Sequence, residues 1–313
     1  MNCGNREHVL VIKLGALGDF VQALGPFQAI RQHHQSAHIT LLTTSGFSDI
    51  GVASGFFDET FTVVPSAWWH LGKRLRLMKF LNNRRFTRIY DLQTSRRSSA
   101  FFTMFRGSKP EWSGIAKGCS HPHDNPSRDL MHTFERQKEQ LHMAGILDVP
   151  APNLDWFDAD VDHFSLQDTF VLIVPGGSAR RLKKRWPVDK YIELANNLLL
   201  SGLLPVLLGG EDERDVLESI HFGCSQAHNL CAKTNLLEVA GLARCAAGAV
   251  GNDTGPMHIA AAVGCPSVVL YSAYSDPGLC GQRGKAVKII RRASLVDLDS
   301  NDVVCALKNV QGR

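Results

Sequence analysis

The chain has 313 residues, 44% hydrophobic and 20% charged, with a formal charge of +4 at pH 7. That is enough apolar side chain for two domains of ordinary size, and it excludes a low-complexity or natively unfolded protein. Eight scattered cysteines, with no CxxC pair and no adjoining His cluster, exclude a disulfide scaffold and a structural zinc site.

Val9–Leu14 is a short apolar run rich in β-branched residues and stopped by Gly15, the pattern of a buried parallel strand. A glycine turn reaching Asp19 leads into a helical pattern to about Arg31, with a bend expected at Pro26. His38–Leu42, Thr60–Val64 and Arg88–Leu92 are further strand candidates separated by helical stretches. Strands alternating with helices predict βαβ units and a mostly parallel sheet. Asp148–Asp162, rich in Pro and Asp, reads as a linker, and then the pattern restarts. Strands are expected at Phe170–Val174, Leu203–Leu208, Ala247–Val250 and Pro266–Leu270, and helices at Val188–Ser201, Asp212–Ile220, Leu236–Arg244 and from Pro256 onward. The expected fold is α/β, with two Rossmann-like domains over residues 1–160 and 161–313 and ligands in a cleft facing the strand carboxyl ends. The closing helical stretch Asn301–Val310 is expected to pack back on the N-terminal domain.

No apolar run approaches the roughly 18 residues of a membrane span, and MNCGNREH leads directly into the first strand without a signal peptide. The expected location is therefore cytoplasmic. Charge is unevenly placed: from Lys73 to Lys109 eleven Lys or Arg stand against one acid, Asp91. Such a block attracts phosphate, acidic sugar or an anionic membrane surface, although a solvated helical face has the same composition. Trp68 and Trp69, just before it, suit either a lipid interface or a core.

The glycine turns differ between the halves. Gly176-Gly177-Ser178 follows a strand and can offer backbone N–H groups to a phosphate, with five cations in the six residues Arg180–Arg185 just downstream. Asp253, Thr254, Gly255, Pro256, Met257 and His258 join a strand to a helix whose first turn holds Pro256. Asp253 or Thr254 can cap that helix while its free N–H groups face an anion. Glu211, after Gly209-Gly210, is placed to accept hydrogen bonds from ribose hydroxyls. In the first half, Gly15-Ala16-Leu17-Gly18-Asp19 lacks the third glycine of a dinucleotide fingerprint and puts a carboxylate where a pyrophosphate would sit. That makes a poor dinucleotide cradle and a good seat for an ionised general base, or simply a helix cap.

Together these motifs resemble glycosyltransferase family 9, the ADP-heptose:lipopolysaccharide heptosyltransferases. The matching stretches are Val9–Asp19 (VLVIKLGALGD), Tyr90–Arg97 (YDLQTSRR), Pro175–Pro187 (PGGSARRLKKRWP), Leu207–Glu211 (LLGGE) and Lys233–His258, in the family's order over nearly the whole chain. The resemblance implies a GT-B fold and an inverting transfer that needs no metal or other cofactor. It implies Asp19 as catalytic base and Lys184 as the donor-phosphate lysine, with Gly176, Gly177, Ser178, Glu211 and residues 253–258 binding the nucleotide-sugar. Lys13, Gly15, Ala16, Gly18, Gln93, Arg96 and Arg97 fall on the acceptor side, where an acidic glycolipid is expected. Many heptosyltransferases carry Ser-Ser where this chain has Gly15-Ala16, which leaves the sugar open. The alternatives are another nucleotide-sugar, a protein acceptor, or a non-catalytic binding module. No nucleic acid is expected as a partner. A Rossmann dehydrogenase is disfavoured because neither half has the glycine fingerprint with an acid about 20 residues on.

Overall fold

The computed structural model describes residues 7–64, 71–152, 154–166, 169–177 and 185–312. Ser178, Lys184 and the cations from Arg180 to Lys183 lie outside the described residues, as do Trp68 and Trp69. The chain divides into two compact units, Met1–Trp156 and Phe157–Arg313.

In the first unit the strands are β1 (His8–Ile12), β2 (His38–Thr43), β3 (Glu59–Thr62), β4 (Arg88–Asp91), β5 (Glu111–Gly114) and β6 (His121–Pro122). They form one sheet in the order β3-β2-β1-β4-β5-β6, every pair parallel. The second unit repeats the plan with β7 (Phe170–Val174), β8 (Leu204–Leu207), β9 (His228–Asn229), β10 (Gly248–Asn252), β11 (Ser267–Tyr271) and β12 (Val287–Arg291). Their order is β12-β11-β10-β7-β8-β9, again wholly parallel. Counted from its own first strand, each sheet thus has the doubly wound order 3-2-1-4-5-6, with its switch point beside the first strand.

Parallel strands covered by helices on both faces read as unbroken apolar runs. Val9 to Ile12 and Val171 to Ile173 accordingly have almost no solvent exposure. In the first unit Leu10, Ile12, Phe80, Ile89, Phe101 and Trp112 share one core; in the second, Ile173, Trp186, Tyr191, Leu207, Val250 and Leu270 share another. β5, β6, β9 and β12 were not expected. β6 and β9 have two residues each, and Lys288 and Arg291 interrupt the apolar pattern of the edge strand β12, as charges on sheet edges do. The closing helix, Ser300–Val310, packs on the helix Val188–Leu200 and on β10–β12 of its own unit.

The expected bend near Pro26 falls at Ala23, between the helices Leu17–Gln22 and Leu24–His33. Pro26 cannot donate to the carbonyl four residues back, so it sits in the first turn of a new helix. Gly25, beside it, has no room for a side chain, because a Cβ would stand 2.1 Å from the carbonyl oxygen of Pro150. No rotamer change relieves a clash with backbone, so Gly25→Ala is expected to cost about 3 kcal/mol, read as a lower urea midpoint for the N-terminal unit.

Candidate active site

One candidate site, in the N-terminal unit, forms where β1 and β4 end. Gly15 leaves β1 with φ +120°, a region open to glycine, and a Cβ there would lie 2.7 Å from the ring of Phe47. Phe47 in turn stacks on Phe20 at 5.0 Å, so the turn is wedged between a ring and the helix it starts. Ala16 is exposed, and Gly18 and Asp19 are half-buried in the first turn of Leu17–Gln22. Ala16, at the N-cap, has no side chain able to cap this helix. The Asp19 carboxylate accepts from the Thr133 hydroxyl at 3.5 Å.

Lys13 lies beneath this turn, almost wholly buried, its ammonium donating to the carbonyl of Leu92 at 3.1 Å. Burial pulls its pKa down to about 8, opposed by the charges of Asp19 and Asp91 and reinforced by Arg136. Asp91, fully buried at the end of β4, is pushed the other way, up to about 7, by loss of water. Its partial compensation comes from the Ser98 hydroxyl, the N–H groups of Thr94 and Gln93, and Lys13. The Gln93 side chain accepts from the N–H of Leu14 at 2.7 Å and thereby ties the β4 end to the β1 turn. Arg96 is exposed, while Arg97 turns away to the carbonyl of Val64 at 3.1 Å. Arg97, Lys73, Arg74 and Arg76 rim a cavity whose walls include Phe61, Leu77, Phe101 and Met104.

A second candidate site, in the C-terminal unit, is organised by Asn252, the last residue of β10 and almost fully buried. Its amide donates to the carbonyls of Pro175 and Gly176 at 2.8 and 3.1 Å, and its oxygen accepts from the N–H of Trp186 at 3.1 Å. One side chain therefore holds three segments: the β7 glycine turn, the chain entering the helix Val188–Leu200, and the loop 253–254. Beyond it the Asp253 carboxylate accepts from Tyr271 at 2.9 Å, Ser275 at 2.7 Å and Gln282 at 3.2 Å. Burial, and next the charge of Asp253, drive the Tyr271 phenol well above its ordinary pKa, which keeps it a donor. Asp253 is thus a tether and not the helix cap.

Thr254 takes the N-cap position of Gly255–Ala262, but its hydroxyl makes no capping bond, and its oxygen is buried without a partner among the described residues. It lines a groove with Gly176, Gly177, Gly209, Gly210, Glu213 and Pro256. Arg185 donates to the carbonyl of Gly177 at one side. Met257 is wholly buried, with its side chain against Gly251, and His258 is buried in the first turn of the helix. Glu211 stands outside the groove's lining, exposed and paired with Arg214 through both carboxylate oxygens at 2.7 and 2.6 Å. That pairing holds its carboxyl below the usual range. Glu213 lies on the groove instead, its carboxylate accepting from the N–H of Gly210 at 3.0 Å.

The structure thus gathers Lys13, Gly15, Gly18, Asp19 and Gln93 in one unit and Gly176, Gly177, Thr254 and Pro256 in the other. Ser178 and Lys184 lie outside the described residues. Asn252, Glu213 and Asp91 went unassigned. For Asn252 and Asp91 the signal was available: a polar residue closing an apolar parallel strand, and the lone acid of the basic stretch.

Residues 74–310 match the family model of glycosyltransferase family 9 (heptosyltransferase). The chain belongs to that family and is a glycosyltransferase. It is 25% identical to the lipopolysaccharide core heptosyltransferase OpsX of Haemophilus influenzae, over 87% of this chain and 80% of that protein. It is 24% identical to lipopolysaccharide heptosyltransferase 1 of Escherichia coli, over 96% and 99%. Among solved structures, E. coli ADP-heptose lps heptosyltransferase II superposes with a TM-score of 0.81 at 21% identity, covering 97% of this chain and 98% of that one. E. coli heptosyltransferase WaaC with ADP gives 0.75 at 22%, covering 97% and 99%. The fold is GT-B.

Two outcomes follow from the geometry. Asn252→Asp, which turns an amide donor into an oxygen facing two carbonyls, is expected to weaken nucleotide binding at least tenfold by calorimetry. The Lys13 ammonium is charged below pH 8 and neutral above it. The kcat/KM profile for sugar transfer should therefore fall as pH rises through about 8, and Lys13→Met should remove that limb.

Proposed function

We propose that this protein transfers heptose from ADP-heptose to a lipopolysaccharide-core acceptor with inversion at the anomeric carbon. The observation that carries this reading is the Asp19 carboxylate at the start of a helix, beside the buried Lys13 ammonium and within 3.5 Å of Thr133. Asp19 takes the proton of an acceptor hydroxyl as that oxygen bonds to the anomeric carbon. The bond from that carbon to the diphosphate breaks on the opposite face, and ADP leaves with the electron pair. A single displacement needs one base and no second carboxylate.

The diphosphate gains charge as it leaves, and cations with backbone N–H groups stabilise it. Gly176, Gly177, the Thr254 hydroxyl and the N-terminus of Gly255–Ala262 supply neutral donors here. Lys184 is the matching lysine by family resemblance. On this reading no metal or organic cofactor takes part. Heptose and lipopolysaccharide are favoured because they appear in the names of relatives spanning most of the chain, and ADP because it is bound in a structural neighbour.

Among the described residues no helix is long and apolar enough to cross a membrane. The first turns of Leu71–Asn83 expose Leu71 and Leu75 among Lys73, Arg74, Arg76 and Lys79. That combination suits peripheral contact with an anionic inner leaflet.

Asp19→Asn is expected to lower kcat by about 10²–10⁴-fold while ADP-heptose affinity stays within a few-fold, and EDTA should leave the wild-type rate unchanged. A wild-type rate in Asp19→Asn would remove the base; preference for a UDP- or GDP-sugar would keep the chemistry and displace heptose.

A further inference from the structure

The cations expected to hold an acidic acceptor, Arg96 and Arg97, point to solvent and to the carbonyl of Val64. A different set of donors lies beside Asp19. The helix Thr133–Met143 begins there, with the Thr133 hydroxyl on the Asp19 carboxylate. Two turns on, Gln140 donates to the carbonyls of Asp91 and Ser113 at 3.1 and 3.2 Å. Positions 133, 137 and 140 share one helical face, so Gln137 sits between these anchors. It is 3% exposed, and neither its amide nitrogen nor its amide oxygen has a partner among the described residues. A buried amide without partners is a standing cost to the fold, of the kind proteins retain where a ligand completes the bonding.

Arg128, on the short helical turn before this helix, repeats the pattern. Its Nη1 pairs with Asp129 at 2.7 Å, while Nε and Nη2 are buried and unpartnered among the described residues. Those two nitrogens are the side-on fork of a guanidinium, the edge that matches two oxygens of a carboxylate or phosphate. Arg136, one turn into the helix, reaches Asp129 only at 3.9 Å and lies near enough to Lys13 for their charges to oppose one another. Asp129 is itself largely exposed and bonds only Nη1 of Arg128, so Nε and Nη2 stay buried without a partner among the described residues.

We propose that Arg128, with Arg136 and Gln137 beside it, binds an anionic group of the acceptor, a carboxylate or a phosphate, and so seats the acceptor hydroxyl at Asp19. This rests on the reading of Asp19 as the base. Arg128 takes two anion oxygens through its unpartnered fork, Arg136 adds charge, and the Gln137 amide completes the bonding from the buried side.

The test uses the full chain and the water-soluble, deacylated oligosaccharide of a lipopolysaccharide truncated before its first heptose. The oligosaccharide is titrated by calorimetry intact, after methyl esterification of its carboxyl groups, and after enzymatic dephosphorylation. Wild type should lose at least tenfold in affinity for whichever treated form lacks the recognised anion, which identifies the source. Arg128→Met and Arg136→Met should lose at least tenfold for the intact form, lose nothing further on that treatment, and keep wild-type affinity for ADP. Arg128→Lys should recover part of the loss. Gln137→Leu should weaken oligosaccharide binding several-fold with an unchanged or higher Tm, whereas a packing role alone would lower the Tm and spare binding. Equal affinity of wild type for all three forms, or the same preference persisting in Arg128→Met, overturns the proposal. A parallel assay with ADP-heptose separates the two readings. Anion-dependent binding without transfer leaves this site standing and removes the heptosyl reading, and transfer indifferent to the anion does the reverse.

Discussion

Both candidate sites hang on one topological constraint. A doubly wound parallel sheet brings the carboxyl ends of all its strands to one edge and parts its loops beside its first strand. In the N-terminal unit that parting lies between β1 and β4, so the turn bearing Gly15 and Asp19 faces the segment bearing Asp91 and Gln93. In the C-terminal unit it lies between β7 and β10, which sets Gly176 and Gly177 against Asn252 and Thr254. Residues 77 positions apart in one pair of loops and 79 in the other meet through single side chains.

The two partings are held by different physics. In the C-terminal unit the link is neutral: every polar atom of the Asn252 amide has a partner, so burial carries little penalty and the loops are fixed at low cost. In the N-terminal unit the link is ionisable. Burial pulls Lys13 and Asp91 toward neutrality from opposite sides, to about 8 and about 7, so both change charge near neutral pH. The Asn252 link itself carries no titratable group, while the link between β1 and β4 is flanked by two buried ionisable groups.

Much of the architecture was legible because parallel strands and glycine turns leave local marks: VLVIKL, stopped by Gly15, and FVLIV, followed by Pro175 and the Gly176-Gly177 turn, give both first strands and both turns. The short strands β6 and β9 carry too few residues to register, and β12 hides behind its charges. Side-chain destinations were less legible. Nothing local says that Arg97 turns toward Val64, that Glu211 is taken by Arg214, or that Glu213 faces the groove two residues later. Asp253 looked like a helix cap because the donors that claim it, Tyr271, Ser275 and Gln282, lie 18 to 29 positions downstream. Arg128, Arg136 and Gln137 carry no motif, since the buried unpartnered atoms of the first and last and the opposition of Arg136 to Lys13 arise only on folding.

The contact between Gly15 and Phe47 bears on how this sequence can change. This chain has glycine and alanine at positions 15 and 16, and the space beside Gly15 is filled by the Phe47 ring. A side chain at position 15 is therefore shut out twice, by the Phe47 ring and by the φ of +120°, and shrinking Phe47 alone would unstack Phe20 without lifting the second bar. Position 15 is therefore tied to glycine unless the turn itself changes its backbone path, and the Phe47–Phe20 stack holds that turn in place. Ala16, exposed beside them, can vary alone.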